Sequence, residues 1–173
     1  MQNLLIVVDM QNDFITGSLG TPEAVSIVDR VSNYINNFDG EIVFTVDTHD
    51  DNYLNTQEGK KLPVKHCIKG TPGWQISDQI FVPHDSTIFE KNTFGSVELA
   101  SFIRMNKDYY DQIYICGLCT DICVVSNAML IKAFCPEKQI NILSNLCAGV
   151  TPESHKNALN AMAMCQMNII SKI

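Results

Sequence analysis

Three residues in this chain could together carry nucleophilic chemistry. Asp9 ends the apolar run Leu4-Leu5-Ile6-Val7-Val8. A carboxylate beside a buried strand needs a partner. It serves either as a loop cap that accepts backbone N–H bonds or as a general base. Lys91 follows the short run Thr87 to Glu90 and is one candidate partner, although a surface lysine is the plainer reading. Cys123 lies in Gly117-Leu118-Cys119-Thr120-Asp121-Ile122-Cys123, a strand-to-helix turn that puts it in the first helical turn. There the helix dipole and free N–H groups lower a thiol's pKa and can hold an oxyanion. The competing reading is a buried, inert cysteine; the position favours a nucleophile.

A second group of residues could hold a metal ion. Asp47-Thr48-His49 ends another strand, and strand alternation puts Asp47 and His49 on one side. The following loop supplies Glu58 and His66. Two histidines plus carboxylates suit zinc, iron or manganese, against the alternative of ordinary loop hydrogen bonding. The series Cys116, Cys119, Cys123 invites a structural zinc site or a redox pair. Zinc wants four ligands in two pairs, and no second pair follows. Cys116 lies within a strand, and the sequence context of a thioredoxin pair is missing.

The elements that must position these residues alternate along the chain. Leu4 to Val8 is a continuous apolar run, the mark of a strand buried on both faces. Thr21-Pro22-Glu23 starts a helix, with Thr as N-cap and Pro at the first helical position. Apolar residues follow at helical spacing until Asp39-Gly40 closes it. The pattern then predicts strands over 41–47, 87–90, 112–116, 139–143 and 167–170. It predicts helices over 96–105, 121–134 and from Thr151-Pro152-Glu153 to about Cys165. His49 to Asp85 shows little regular pattern, and so long a loop is usually functional. Six strands alternating with helices argue an α/β fold, a parallel sheet covered on both faces. In such sheets ligands bind at the carboxyl ends of strands, where the strand order reverses.

The chain has 173 residues, which predicts one domain over 1–173. Apolar residues make up 46% and charged residues 18%, which excludes a disordered or low-complexity chain. A net charge of −7 argues against nucleic acid and against a polybasic membrane anchor. No apolar run reaches the length of a membrane span, and the N-terminal run lacks a signal peptide's flanks. Seven cysteines, an odd number, fit reduced thiols in a cytoplasmic protein.

Several of these segments occur together in one order: Ile6 to Phe14, Thr45 to His49, Pro63 to Gly73, Lys91 and Gly117 to Val124. In that order they resemble the nicotinamidase branch of the isochorismatase-like cysteine hydrolases, over nearly the whole chain. The resemblance implies an isochorismatase-like, Rossmann-like three-layer fold with a six-stranded, mainly parallel sheet. It implies a catalytic triad of Asp9, Lys91 and Cys123, and a cis peptide between Leu118 and Cys119. The backbone N–H groups of Cys119 and Cys123 would form the oxyanion hole. Phe14 and Leu118 would bind substrate, with Phe94 or Trp74 as the opposing aromatic wall. Asp47, His49 and His66 would hold one divalent metal ion, zinc first, with iron or manganese as alternatives. Relatives often carry a further histidine soon after the Asp-x-His; none lies between His49 and His66 here, and the resemblance implies that Glu58 would take its place.

The activity so implied is hydrolysis of nicotinamide to nicotinate and ammonia through a cysteine thioester, with a part in NAD salvage. The partners would be a small aromatic amide and further copies of the chain. Two alternatives stand beside it: a metal-independent hydrolase of ureido or N-carbamoyl amides, and a non-catalytic binding member. A dinucleotide oxidoreductase is disfavoured, because no Gly-x-Gly-x-x-Gly occurs.

Overall fold

The computed structural model describes residues 2–172. Six parallel strands form one sheet in the order β3-β2-β1-β4-β5-β6. They are β1 (Gln2–Val8), β2 (Glu41–Asp47), β3 (Thr87–Lys91), β4 (Tyr110–Leu118), β5 (Gln139–Ala148) and β6 (Asn168–Ile170). Leu4 to Val8 lie at the centre and are fully buried, which is why that strand reads as an unbroken apolar run. Six α-helices accompany the sheet: α1 (Asn12–Ile15), α2 (Pro22–Asn37), α3 (Gln57–Lys61), α4 (Val97–Met105), α5 (Val125–Phe134) and α6 (Pro152–Met164). None is long and apolar enough to cross a membrane.

Local chemistry sets the helix starts. The Thr21 hydroxyl accepts the Ala24 N–H, and Thr151 accepts the Ser154 N–H in a capping box. Ala24, Ile27, Val28, Val31 and Ile35 then form the buried stripe of α2.

The strand order reverses between β1 and β4, so the crevice at their carboxyl ends is the place for a ligand. Asp9 follows β1 there, and the turn with Cys119 and Cys123 follows β4. Register adds the rest. Val8 pairs with Thr45 on one side and Gly117 on the other, and Asp47 pairs with Lys91. Gly117 is required at this crossing. Its φ is +115°, and a Cβ there would stand 2.1 Å from the Val8 carbonyl oxygen.

The structure differs from the sequence expectations at some boundaries. β4 and β5 run longer than the apolar runs suggest; in β5, Ser144 and Asn145 interrupt the pattern while the strand continues. The helix expected over 121–134 opens as a π-helical turn, Thr120–Val124, before α5 begins. The patternless stretch contains one 3-10 turn, Tyr53–Asn55, and α3.

Candidate active site

Asp9 leaves β1 with φ at +47°, a strained conformation for a residue with a side chain. Its N–H is held by the Thr45 carbonyl at 3.1 Å. The Thr45 hydroxyl donates to Asp9 Oδ1 at 2.7 Å, and the Lys91 ammonium stands 2.7 Å from Oδ2. Both carboxylate oxygens are therefore engaged in a site with no solvent exposure. Lys91 also reaches Asp47 Oδ1 at 3.3 Å and the Cys123 sulfur at 3.4 Å. Asp9, Lys91 and Cys123 thus share one buried contact, with the ammonium at its centre.

The electrostatics of this group follow from burial. Burial raises the pKa of Asp9, and the attraction of Lys91 only partly offsets it. Burial disfavours charge on Lys91, but Asp9, Cys123 and Asp47 outweigh it and hold the ammonium charged. Burial, then the Asp9 carboxylate, push the Cys123 thiol well above its ordinary value. The sequence position led us to expect a lowered thiol pKa. The correction has a physical reason: desolvation and a neighbouring anion exceed the pull of the helix start and of Lys91. A protonated thiol beside a carboxylate of raised pKa is a pair suited to proton transfer.

The second group lies alongside. One ligand atom each from Asp47, His49, Glu58 and His66 fall within 4.8 Å of one another. His49 Nε2 is 3.0 Å from Asp47 Oδ2 and 3.7 Å from Glu58 Oε1. His66 Nε2 is 3.5 and 3.6 Å from the same two oxygens. The Val64 carbonyl oxygen lies 2.8 Å from His66 Nδ1, which leaves the Nε2 lone pair for the centre of the group. Burial, then the nearby Asp47 anion, raise the pKa of Glu58. Two imidazoles and two crowded carboxylates form a donor set that fits a divalent ion. Asp47 belongs to both groups: Oδ1 faces Lys91 and Oδ2 faces the histidines.

Other side chains here were not singled out from sequence. Gln11 is fully buried and clamps Asp47, accepting its N–H at 2.7 Å and donating to its carbonyl at 2.9 Å. Asp13 accepts the Cys67 N–H at 2.7 Å and so ties the loop bearing His66 to α1. Tyr53 packs against both histidines, tilted to His49 and edge-on to His66, at ring distances of 4.7 and 4.9 Å. The segment Asp9 to Phe14 was the available signal, because it packs several polar residues directly after a buried strand.

A cavity of about 760 Å³ opens over this region, walled by Thr48, His49, Tyr53, Glu58, Phe94 and Ile122 among others. Phe94 lines it, whereas Trp74 lines a separate groove by β3 and donates its indole N–H to Thr48. Phe14 is buried, with its ring 5.6 Å from that of His66. Leu118 is fully buried at the end of β4, beside the turn that carries Cys123. The Leu118–Cys119 peptide is cis, and Cys119 caps the turn that carries Cys123.

Residues 3–172 match the model of the isochorismatase domain. The chain belongs to the isochorismatase family. Within it, the chain falls in the nicotinamidase branch. The pyrazinamidase of Pyrococcus horikoshii, solved in complex with zinc, is 30% identical, with a TM-score of 0.86. That alignment covers 99% of this chain and all of the other. The nicotinamidase/pyrazinamidase of Bacillus subtilis is 28% identical over 99% of this chain and all of that one, with a TM-score of 0.79. The nicotinamidase of Saccharomyces cerevisiae is 29% identical over 72% of this chain and 79% of its own length.

Proposed function

We propose that this isochorismatase-family chain is an amide hydrolase, and that nicotinamide or a close pyridine or pyrazine carboxamide is its substrate. The observation that carries the proposal is the Lys91 ammonium, which stands within 3.4 Å of the Cys123 sulfur and 2.7 Å of Asp9. The named activities of the yeast, Bacillus and Pyrococcus relatives support the same reading.

In this reading Asp9 takes the Cys123 proton as the sulfur attacks the carboxamide carbon. Lys91 keeps its charge throughout and offsets the anion on the thiolate. The new oxyanion is held by the N–H groups of Cys119 and Cys123 at the helix start, each worth about 3 kcal/mol of barrier. Asp9 returns the proton to the amide nitrogen, the C–N bond breaks and ammonia leaves. Water then adds to the thioester while Asp9 accepts its proton. The C–S bond breaks, the acid is released and the thiol is restored. Asp47, His49, Glu58 and His66 would hold the divalent ion. When bound, such an ion offers a Lewis-acid contact for a ring nitrogen. Phe94 and Tyr53 offer the apolar sides of the cavity.

The metal-independent alternative leaves the four-donor group without a task. Ammonia release from nicotinamide, pyrazinamide, benzamide and an N-carbamoyl amino acid, with metal content measured on the same protein, separates the readings. Turnover of the two azine amides by metal-loaded protein is expected. Turnover of the N-carbamoyl compound alone, or with no metal bound, overturns the proposal.

A further inference from the structure

The geometry points to Asn127 as a positioning residue that sets where Phe94 stands relative to the Cys123 sulfur, and so favours aromatic over aliphatic acyl groups. The inference rests on the reading of Cys123 as nucleophile and deepens it.

Asn127 lies on α5, four residues beyond Cys123, and is 1% exposed. A buried amide is costly unless each polar atom is paired. Here all are paired, and two of the three bonds reach the segment before α4. Asn127 Nδ2 donates to the Cys123 carbonyl at 2.8 Å and to the Phe94 carbonyl at 3.2 Å. Its Oδ1 accepts the Ser96 N–H at 2.9 Å. One N–H donor and two carbonyls fix the orientation of the amide, since a flipped group would face like against like.

The segment so held is the connection from Lys91 to α4. Residues 92–95 have no strand or helix of their own, and Asn92, Thr93 and Phe94 wall the cavity. Phe94 itself is 42% exposed, so neighbouring side chains do not enclose its ring. At one end the segment is anchored by Lys91 in the buried group. At the other it is anchored by Asn127, and Gly95 lies against Ser126 and Leu130 of α5. One side chain therefore ties the backbone of the nucleophile to the backbone of the cavity's aromatic wall. Neither Asn127 nor its amide touches the cavity, so its effect on selectivity passes through Phe94.

The test uses the rate of Cys123 alkylation, read by peptide mass mapping, with two probes: N-phenyl iodoacetamide and iodoacetamide. The ratio of the two rates reports the aromatic wall without requiring amide turnover. Asn127→Thr keeps a hydroxyl that can bond the Cys123 carbonyl one turn back, but it loses Phe94 and Ser96. Asn127→Ser is the second variant, in case Thr disturbs folding, and melting temperatures accompany every ratio.

The expected result is a wild-type preference for the aromatic probe that falls about tenfold in Asn127→Thr, the loss of one to two net hydrogen bonds. Phe94→Ala falls by the same factor. The double variant Phe94→Ala/Asn127→Thr falls no further, because the two act through one contact. A preserved ratio in the Asn127 variants overturns the inference. So does an additive loss in the double variant, or a wild type without preference. Failure of the amide panel with the alkylation pattern intact overturns the proposed function and not this inference.

Discussion

Replacing Lys91 by Met removes the charge on which the buried group depends. Lys91 is 4% exposed, and its ammonium faces Asp9, Asp47 and the Cys123 sulfur. Met preserves most of the volume, so the loss is mainly electrostatic. Breaking a buried pair from one side costs about 3–5 kcal/mol, because the partner charge is left uncompensated. For a domain of this size, roughly 2–4 °C per kcal/mol gives a fall in Tm of about 6–20 °C.

The fall must also depend on pH in one direction. Asp9 already has a raised pKa from burial, and Lys91 is what opposes the rise. Without Lys91 the pKa climbs further. A carboxyl whose folded pKa exceeds its unfolded value, near 3.8, contributes stability that is full below that value. That contribution is lost as pH rises through the folded pKa. The part of the Lys91→Met deficit that comes from Asp9 therefore grows as pH rises above the ordinary carboxylate range. Adding Asp9→Asn should recover much of it at pH 8, since the stranded charge is gone. Thermal melts of the three proteins across pH check this. A Tm within about 2 °C of wild type at pH 8 would refute the reasoning, as would a deficit that does not change with pH or a double variant weaker than Lys91→Met.

Other expectations follow from the same geometry. The acidic limb of kcat/KM should lie above the ordinary carboxylate range, because Asp9 must be ionised to take the thiol proton and burial raises its pKa. Thr45→Val removes the hydroxyl bond to Asp9 Oδ1 and should move that limb up by about 1–2 pH units, from about 1.5–3 kcal/mol for a bond to a charged group; an unmoved limb excludes Asp9 as its source. Glu58→Ala should weaken metal binding about 10–100-fold, with activity restored by added metal; unchanged affinity by calorimetry would remove Glu58 from the site. Gln11→Leu leaves the backbone N–H and carbonyl of Asp47 without their side-chain partners and should cost about 1–3 kcal/mol in urea melts; a loss below about 0.5 kcal/mol would show that Asp47 does not need the clamp.

What was legible in the sequence was local. Leu4 to Val8, the two Thr-Pro helix starts and the short turn before Cys123 each carry their signal within a few residues. The strand pattern also located the ends at which Asp9, Asp47, Lys91 and Cys123 stand. Pairing was not legible. That Asp47 touches Lys91 follows from the register of β2 on β3, which no spacing within either strand reveals. The long stretch after His49 read as patternless because its order is borrowed: Asp13 holds Cys67, and Gln11 holds Asp47 and Trp74. Asn127 lay one turn beyond the motif on a mostly apolar helix, and its partners Phe94 and Ser96 are about 30 residues away along the chain.

The central claim is that Cys123 is the nucleophile of an amide hydrolysis. Ammonia release from nicotinamide by metal-loaded wild type and metal-loaded Cys123→Ala, compared side by side, tests it most directly. The account predicts stoichiometric ammonia and nicotinate from the wild type. From the folded, metal-loaded variant it predicts no release above the uncatalysed background. Near-wild-type release by Cys123→Ala, or none by the wild type, would contradict it.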